Sequence, residues 1–224
     1  MGYNKSLDFL NMIKNGIALS EKGKKKAASG DITSRDMAPA CGLIAVIDTE
    51  TNWRDEVMSL GVAIADSNSF RCIETRYYIF EPECRVGGIY SGVMYKCSTR
   101  PVECMRDEAL ADLVALLKER GISRIFAYNA KFDLGHLPEL VDFEWYDIMR
   151  IAAYRQYNRA IPESAECYKT GRLKTNYGVE PMTRMLTGDS SYREVHNAVE
   201  DAVDELRIVE LLGISLDEYE CARI

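Results

Sequence analysis

The chain has 224 residues, of which 47% are hydrophobic and 28% are charged, and its formal net charge is −7. This length allows one sizeable hydrophobic core and excludes two large domains. The chain has seven cysteines, and their odd number, without a C-x-x-C pair, favours reduced thiols and argues against a disulfide framework or a zinc site. We therefore expect a cytoplasmic protein.

Membrane and export signals are absent from the sequence. No apolar run reaches the length of a membrane span, and the first residues lack the order of charged, apolar and small residues that is typical of a signal peptide. We expect neither a membrane segment nor export.

The first 40 residues differ in composition from the rest. They carry seven Lys/Arg against four acids, whereas the remainder of the chain is acidic. Leu7, Leu10, Ile13 and Ile17 recur at helical spacing, and a polar linker with a lysine cluster follows them. We predict that residues 1–40 form a basic extension with a short helix, in which the lysines either contact phosphates or, as is more common, face solvent.

Residues 41–224 alternate between strand and helix patterns and form the predicted catalytic domain. Strands that follow one another directly come first, and strands separated by helices come later, which predicts an α/β domain with a mixed sheet flanked by helices. The patterns predict strands at 41–48, 57–66, 70–82 and 122–129, and helices at 101–121, 146–158 and 198–213.

Two acids, Asp48 and Glu50, stand at the end of the first predicted strand. Because alternate residues of a strand point to the same face, these two carboxylates should lie side by side. Like charges repel each other, and a divalent cation between them removes that repulsion. An isolated D-x-E is more often a pair of solvated acids, so the hypothesis of a metal site needs further acids.

Two later segments supply them. Asp133 follows a short apolar strand within YNAKFDLGHL, and His196 precedes Asp201 by five residues within HNAVEDAVDE. Five residues of an α-helix rotate by about 500°, so the last two side chains converge only if His196 lies at or before the first turn. We predict that His196 lies where the helix begins.

The ordered set D-x-E, N-A-x-F-D and H-x4-D resembles the DEDDh 3′-5′ exonuclease family. This RNase H-like family includes the proofreading epsilon subunit of bacterial DNA polymerase III, and the resemblance spans roughly residues 43–213. It implies a five-stranded mixed RNase H-like sheet flanked by helices. It also implies two divalent cations, Mg²⁺ or Mn²⁺, as cofactors of phosphodiester hydrolysis.

The resemblance also implies a role for each residue of the set. Asp48 would bridge the two cations, Glu50 and Asp201 would hold the cation of the attacking water, and Asp133 would support the second cation through water. His196 would be the general base that takes the proton of that water. The alternative for His196 is a packed, hydrogen-bonded histidine without a catalytic role.

Four other polar residues lie near these motifs. Asp204 and Glu205 share the last helix with Asp201 but match no family position, and Asp204 is expected at most to support the site. His136 is expected to be structural, and Asp147 is expected to cap a helix.

Contacts to a single strand are expected from aromatic and basic side chains near the motifs. Thr51 and Trp53 follow the first motif, where the resemblance puts contacts to the terminal nucleotide. The second motif adds Asn129 and Phe132 to the candidate substrate-binding residues.

A basic stretch from 149 to 184 carries seven Lys/Arg against three acids, together with four tyrosines. Arg155, Arg172 and Lys174 are its candidates for phosphate contacts. The alternative is that tyrosines at helical spacing serve packing, with the cations simply solvated.

Three departures from the family pattern leave the substrate open. Tyr128 stands where many members have His, and TNWRD replaces the glycine-rich turn that usually follows Glu50. The segment 85–101, between the third predicted strand and the first predicted helix, lacks the sequence pattern that family members usually have there. These departures do not touch the five residues of the predicted metal chemistry.

The sequence thus predicts a 3′-5′ exonuclease that hydrolyses single-stranded nucleic acid, with DNA favoured, to nucleoside 5′-monophosphates. A preference for RNA or short oligoribonucleotides is one alternative. Another is a non-catalytic nucleic-acid-binding subunit that associates with a polymerase or another replication or repair protein. The complete set of acids with His196 favours the enzyme.

Overall fold

The structure, a computed structural model, describes residues 42–224. The predicted basic extension of residues 1–40, with its helix and linker, lies outside the described residues. Within the described part, no helix is both long enough and apolar enough to cross a membrane. The six cysteines of this part are free thiols.

Six strands form one mixed sheet in the order β4-β3-β2-β1-β5-β6. The strands β1–β2 and β2–β3 are antiparallel, and the other neighbours are parallel. The α/β class and the mixed sheet are confirmed, but the predicted number of five strands is wrong. The strands are β1 (Leu43–Thr51), β2 (Val57–Asp66), β3 (Cys72–Glu81), β4 (Val102–Met105), β5 (Arg124–Ala127) and β6 (Glu144–Asp147).

Helices flank this sheet, as predicted. The last of them begins and ends within one residue of its predicted bounds. In the described part of the chain, the α-helices are α1 (Arg106–Glu119), α2 (Lys131–His136), α3 (Met149–Ala152), α4 (Val179–Thr187) and α5 (Ala198–Leu212).

Two of the predicted helices are shorter than expected. The segment Val102–Met105 pairs with β3 as an edge strand, and α1 begins only at Arg106. The predicted helix at 146–158 is a single turn, Met149–Ala152, and the Asn158 side chain donates a hydrogen bond of 2.8 Å to the Ala152 carbonyl at its end. Neither α4 nor β6 was predicted.

Helices on both faces bury the central strand β1, which explains its unbroken apolar run. Ala45 and Ile47 pack in one core cluster with residues of α1, such as Leu113. Ile44 and Val46 pack in the other cluster, together with residues of α5. Full burial of one aliphatic side chain contributes roughly 1.5–3 kcal/mol, so this strand is a main stabilising element.

The same alternation positions the two acids of β1. Asp48 and Glu50 continue the series of Ile44 and Val46, so they face the side of the sheet that α5 covers. Gly61 pairs with Asp48 across the β1–β2 ladder, and the first turn of α5 packs directly against this glycine. The fold therefore brings the start of α5 to the acidic end of β1.

Candidate metal centre

Asp48 lies at the centre of a cluster of acids. It is half-buried, and its Oδ2 atom is buried with no hydrogen-bond partner. Burial raises the pKa of Asp48 well above its ordinary value, and the carboxylates of Glu205, Asp133, Asp201 and Glu50 raise it further. A buried oxygen without a donor is costly unless a cation or a proton neutralises it.

Glu50 and Asp201 share this environment. Burial, followed by the charge of Asp201, raises the pKa of Glu50 to about 8. Burial, followed by the charge of Glu194, raises the pKa of Asp201 to about 8. Asp201 is only 3% exposed, and its Oδ1 also lacks a hydrogen-bond partner.

His196 lies where the sequence predicted it, one residue before the N-cap of α5. The N-cap residue Asn197 accepts a hydrogen bond of 3.2 Å from the Val199 amide through its side chain. One ligand atom each of His196, Glu50 and Asp201 lies within 4.8 Å of the other two. The imidazole therefore reaches the same space as the two carboxylates.

Asp133 is tied to the first motif by Thr49. The backbone amide and the hydroxyl of Thr49 donate hydrogen bonds of 3.1 and 2.8 Å to the Asp133 Oδ1. Burial raises the pKa of Asp133 to about 7, while the bonds from Thr49 act in the opposite direction. Thr49 was not predicted as a site residue, and its position between Asp48 and Glu50 is the one signal that the sequence gives for it.

Glu205 is a further acid of the cluster. It is 2% exposed, and it accepts a hydrogen bond of 2.9 Å from the Tyr128 amide, which joins α5 to the end of β5. Burial and the charge of Asp133 raise its pKa well above its ordinary value. Asp204, by contrast, accepts a short hydrogen bond from the Tyr192 hydroxyl. Sequence alone did not separate these two neighbouring acids.

The donor set fits hard divalent cations. The acids offer carboxylate oxygens, which Mg²⁺ and Mn²⁺ prefer. The orphaned Oδ2 of Asp48 and Oδ1 of Asp201 are buried atoms that need a positive partner. The cluster as a whole combines several carboxylates that repel each other in the absence of such a charge.

The turn TNWRD is built by Asn52. Its side-chain oxygen accepts hydrogen bonds from the amides of Arg54 (2.8 Å) and Glu56 (3.1 Å), and Asp55 adopts a φ of +62°. An asparagine side chain thus builds this turn, for which the resemblance had led us to expect glycines. The turn presents Trp53, whose side chain is 67% exposed, beside the half-buried Thr51.

The second motif presents its own exposed side chains. Asn129 is exposed, with a φ of +63°, and Phe132 is 41% exposed. Phe132 packs on the ring of His136, and His136 Nε2 lies 3.1 Å from the Asp55 Oδ1. His136 therefore joins this motif to the Trp53 turn, which agrees with its predicted structural role.

The Asp147 carboxylate also has a structural role. Its Oδ1 accepts hydrogen bonds of 3.0 Å from the amides of Asn129 and Met149. One carboxylate therefore fixes the turn after β5 and the first turn of α3.

The basic stretch, residues 149–184, spans α3, the connection to α4 and the first turns of α4. Arg155 donates hydrogen bonds to the carbonyls of Pro162, Glu163 and Ala165, so it holds this connection together. The Arg172 Cζ lies 4.7 Å from the centroid of the Tyr177 ring. The charge of Arg172 lowers the pKa of Tyr128, but burial raises that pKa by more. The Lys174 Nζ lies 3.3 Å from the Glu166 Oε2 and forms an ion pair with it.

Comparisons with known proteins give matches among solved structures. The protein-family models and the curated proteins give no match. One match is a 3′-exonuclease, from a structure of 3′-end specific recognition of the histone mRNA stem-loop. Its sequence is 15% identical to this chain, and the TM-score is 0.53. The match covers 98% of this chain and 76% of that one.

Two further structures are similar. The nuclease domain of 3′hExo, a DEDDh family member bound to rAMP, is 13% identical, with a TM-score of 0.51, over 76% of this chain and 91% of that domain. E. coli Exonuclease I in complex with a dA16 oligonucleotide is 14% identical, with a TM-score of 0.53, over 80% of this chain and 42% of that one.

The chain has the fold of the DEDDh exonucleases. The resemblance inferred from three short motifs is therefore confirmed at the level of the fold. At these identities the likeness carries the fold alone, so the activity must be argued from the residues of the site.

Proposed function

We propose that the protein is a metal-dependent 3′-5′ exonuclease that releases nucleoside 5′-monophosphates from single-stranded nucleic acid. One observation carries the proposal: Asp48, Glu50, Asp133 and Asp201, from three distant parts of the chain, meet beside His196. Two of these acids have buried oxygens without donors. A packed histidine and solvated acids, the alternative from sequence, would not leave such oxygens unpaired.

Each residue has a role in this proposal. Asp48, Glu50 and Asp201 would hold two divalent cations, Mg²⁺ or Mn²⁺, with Asp133 as an indirect support. When bound, such cations neutralise charge on the phosphoryl oxygens and activate water. His196 takes the proton from the attacking water, for which its 38% exposed side chain has access to solvent.

The exposed side chains around the cluster would bind the 3′ end. Trp53 and Phe132 stand on the two motifs that His136 joins, and a base stacked on an aromatic ring contributes about 1–3 kcal/mol. Thr51 and Asn129 would contact the terminal nucleotide. Arg172, near Tyr128, is a better candidate for a phosphate contact than Lys174, because Lys174 already lies beside Glu166.

DNA remains our favoured substrate, and RNA is the second candidate. The similar structures include one bound to a DNA oligonucleotide and others bound to rAMP or concerned with an mRNA stem-loop. The fold therefore suits both chemistries. An association with a polymerase or a repair protein, and a cytoplasmic location in keeping with the free cysteines, belong to the same proposal.

A direct assay tests the proposal. Single-stranded DNA and RNA of one sequence, labelled at the 5′ end and carrying a free or blocked 3′ end, are incubated with Mg²⁺, Mn²⁺ or EDTA. We expect progressive shortening of free 3′ ends that requires metal and is lost in Asp48→Asn. Tight binding without cleavage in every condition would instead support the non-catalytic subunit.

A further inference from the structure

The ring of Tyr90 stacks on the imidazole of His196. The ring centroids lie 4.1 Å apart, and the planes are inclined by 20°. Tyr90 belongs to the segment 85–101, between β3 and β4, for which the sequence offered no role. This contact is thus the link between that segment and the proposed general base.

The segment is fixed to both sides of the metal centre. On one side, Gly87 accepts a hydrogen bond of 2.9 Å from the Trp53 amide, and a Cβ on Gly88 would lie only 2.5 Å from the Thr51 carbonyl oxygen. The backbone before Tyr90 therefore lies directly against the end of β1.

On the other side, the backbone after Tyr90 contacts the start of α5. The Asn197 side chain donates hydrogen bonds of 2.9 Å to the carbonyls of Val93 and Met94. Asn197 is also the N-cap of α5 and directly follows His196. Tyr90 is therefore held between the two elements that carry Glu50 and His196.

His196 needs such a support, because its other contacts hold it weakly. Its backbone has a φ of +58°, and its side chain is 38% exposed. Among the described residues, the nearest carboxylate oxygen, Oε1 of Glu194, is 4.0 Å from Nδ1 of His196, beyond hydrogen-bond distance. A partly exposed imidazole that forms no side-chain hydrogen bond within the described part of the chain has several accessible orientations, and the stacked phenol ring restricts them.

We propose that Tyr90 is a positioning residue, whose ring fixes the orientation of the His196 imidazole over Glu50 and Asp201. The inference rests on the proposed function, in which His196 acts as general base. Because the face of the aromatic ring is the required feature, Tyr90→Phe should preserve the orientation of His196, whereas Tyr90→Leu should not.

NMR of the metal-free protein tests the stacking without reference to activity. The full chain has only two histidines, so its imidazole C–H spectrum has two sets of signals, and His196→Ala assigns them. We expect the His196 signals to be shifted upfield by the ring, to remain so in Tyr90→Phe and to move downfield in Tyr90→Leu. The His136 signals serve as an internal reference.

Kinetics then test the consequence. With Tyr90→Leu we expect kcat to fall on the order of ten- to a hundredfold with little change in KM, less than the loss of roughly 10²- to 10⁴-fold expected for His196→Ala. Tyr90→Phe should retain the kcat of the unmodified chain. Tyr95→Leu makes the same type of change in the same segment, at a side chain that is 59% exposed, and should leave kcat unchanged.

Two results would overturn the inference. One is a His196 spectrum that does not respond to Tyr90→Leu, and the other is a rise in KM with unchanged kcat, which would make Tyr90 a contact for the substrate. A protein with the NMR shift but without nuclease activity would contradict the proposed function and leave the stacking intact.

Discussion

Gly61 lies against the backbone of Ala198 so closely that a Cβ on Gly61 would be 2.1 Å from the Ala198 carbonyl oxygen. The neighbouring Val199 amide nitrogen would be 2.3 Å away. The missing side chain thus sets the distance between β2 and α5. Since Gly61 pairs with Asp48, the same contact sets how near Asp201 comes to the acids of β1.

Gly61→Ala should therefore damage both stability and metal binding. Because backbone atoms must move to admit the methyl group, we expect a loss of about 1–3 kcal/mol in the free energy of unfolding, as for other overpacked sites. Mn²⁺ affinity should also fall. Urea unfolding and a Mn²⁺ titration measure these effects, with Gly92→Ala as control, since a Cβ there meets no atom within 4 Å. Equal behaviour of the two variants would contradict this account.

The stability of the metal-free protein should fall as pH rises. The ordinary pKa values of Glu50 and Asp201 are 4.5 and 3.8, and in the folded protein each pKa is raised to about 8. The folded chain therefore holds protons that the unfolded chain has already released between about pH 4 and pH 8. The free energy of unfolding decreases across that window, because stability falls with pH wherever the folded state binds more protons.

Divalent cations should reverse this loss. Cations that bind only the folded state stabilise it by about 2.7 kcal/mol at a hundredfold excess over Kd. Thermal unfolding from pH 5 to pH 8.5, with EDTA or with Mg²⁺, measures both effects. In Glu50→Gln the decline with pH should be shallower. A metal-free protein of constant stability over this range would show that these acids are not forced together.

Removal of the Thr49 hydroxyl should loosen Asp133. Thr49→Val keeps the shape of the side chain and the backbone amide bond but deletes the 2.8 Å hydrogen bond to a buried carboxylate. We expect a loss of about 1–3 kcal/mol in the free energy of unfolding, together with weaker Mn²⁺ binding. Thr49→Ser retains the hydroxyl and should behave like the unmodified chain. If both substitutions have the same effect, the methyl group of Thr49 matters and the hydrogen bond does not.

The parts of the site that sequence predicted depend on local periodicity. The alternation of Ile44, Val46, Asp48 and Glu50 predicts one shared face, and the rotation of a helix predicts where His196 must lie before Asp201. Both relationships involve residues close in sequence. They appear in the structure as the periodicities require.

The parts that sequence missed depend on contacts between distant segments. Tyr90 meets His196 across 106 residues, and Gly61 meets Ala198 across 137. The short strand β4 forms because β3 offers a free edge, which outweighs the helical pattern of its own residues. No local pattern encodes these partners, so they became visible only with the fold.

Substitutions of Glu205 test whether this buried acid has a structural role or binds the metal. Burial and the charge of Asp133 raise the pKa of Glu205 well above its ordinary value, which favours the neutral, protonated form of its carboxyl. Glu205→Gln resembles this neutral form and can still accept the hydrogen bond from the Tyr128 amide. Stability and metal-dependent cleavage should therefore be retained. Glu205→Ala leaves that amide without its partner and should cost about 1–3 kcal/mol in the free energy of unfolding.

The contrast with Asp48 decides between the two roles. Asp48→Asn should reduce Mn²⁺ affinity, because the buried Oδ2 of Asp48 has no hydrogen-bond donor among residues 42–224 and is free to bind a cation. Calorimetric titration of Glu205→Gln and Asp48→Asn under the same conditions compares them directly. If Glu205→Gln loses as much affinity as Asp48→Asn, Glu205 is ionised in the loaded site and binds the cation itself. If only Asp48→Asn loses affinity, Glu205 acts through the Tyr128 amide and holds the end of β5 against α5.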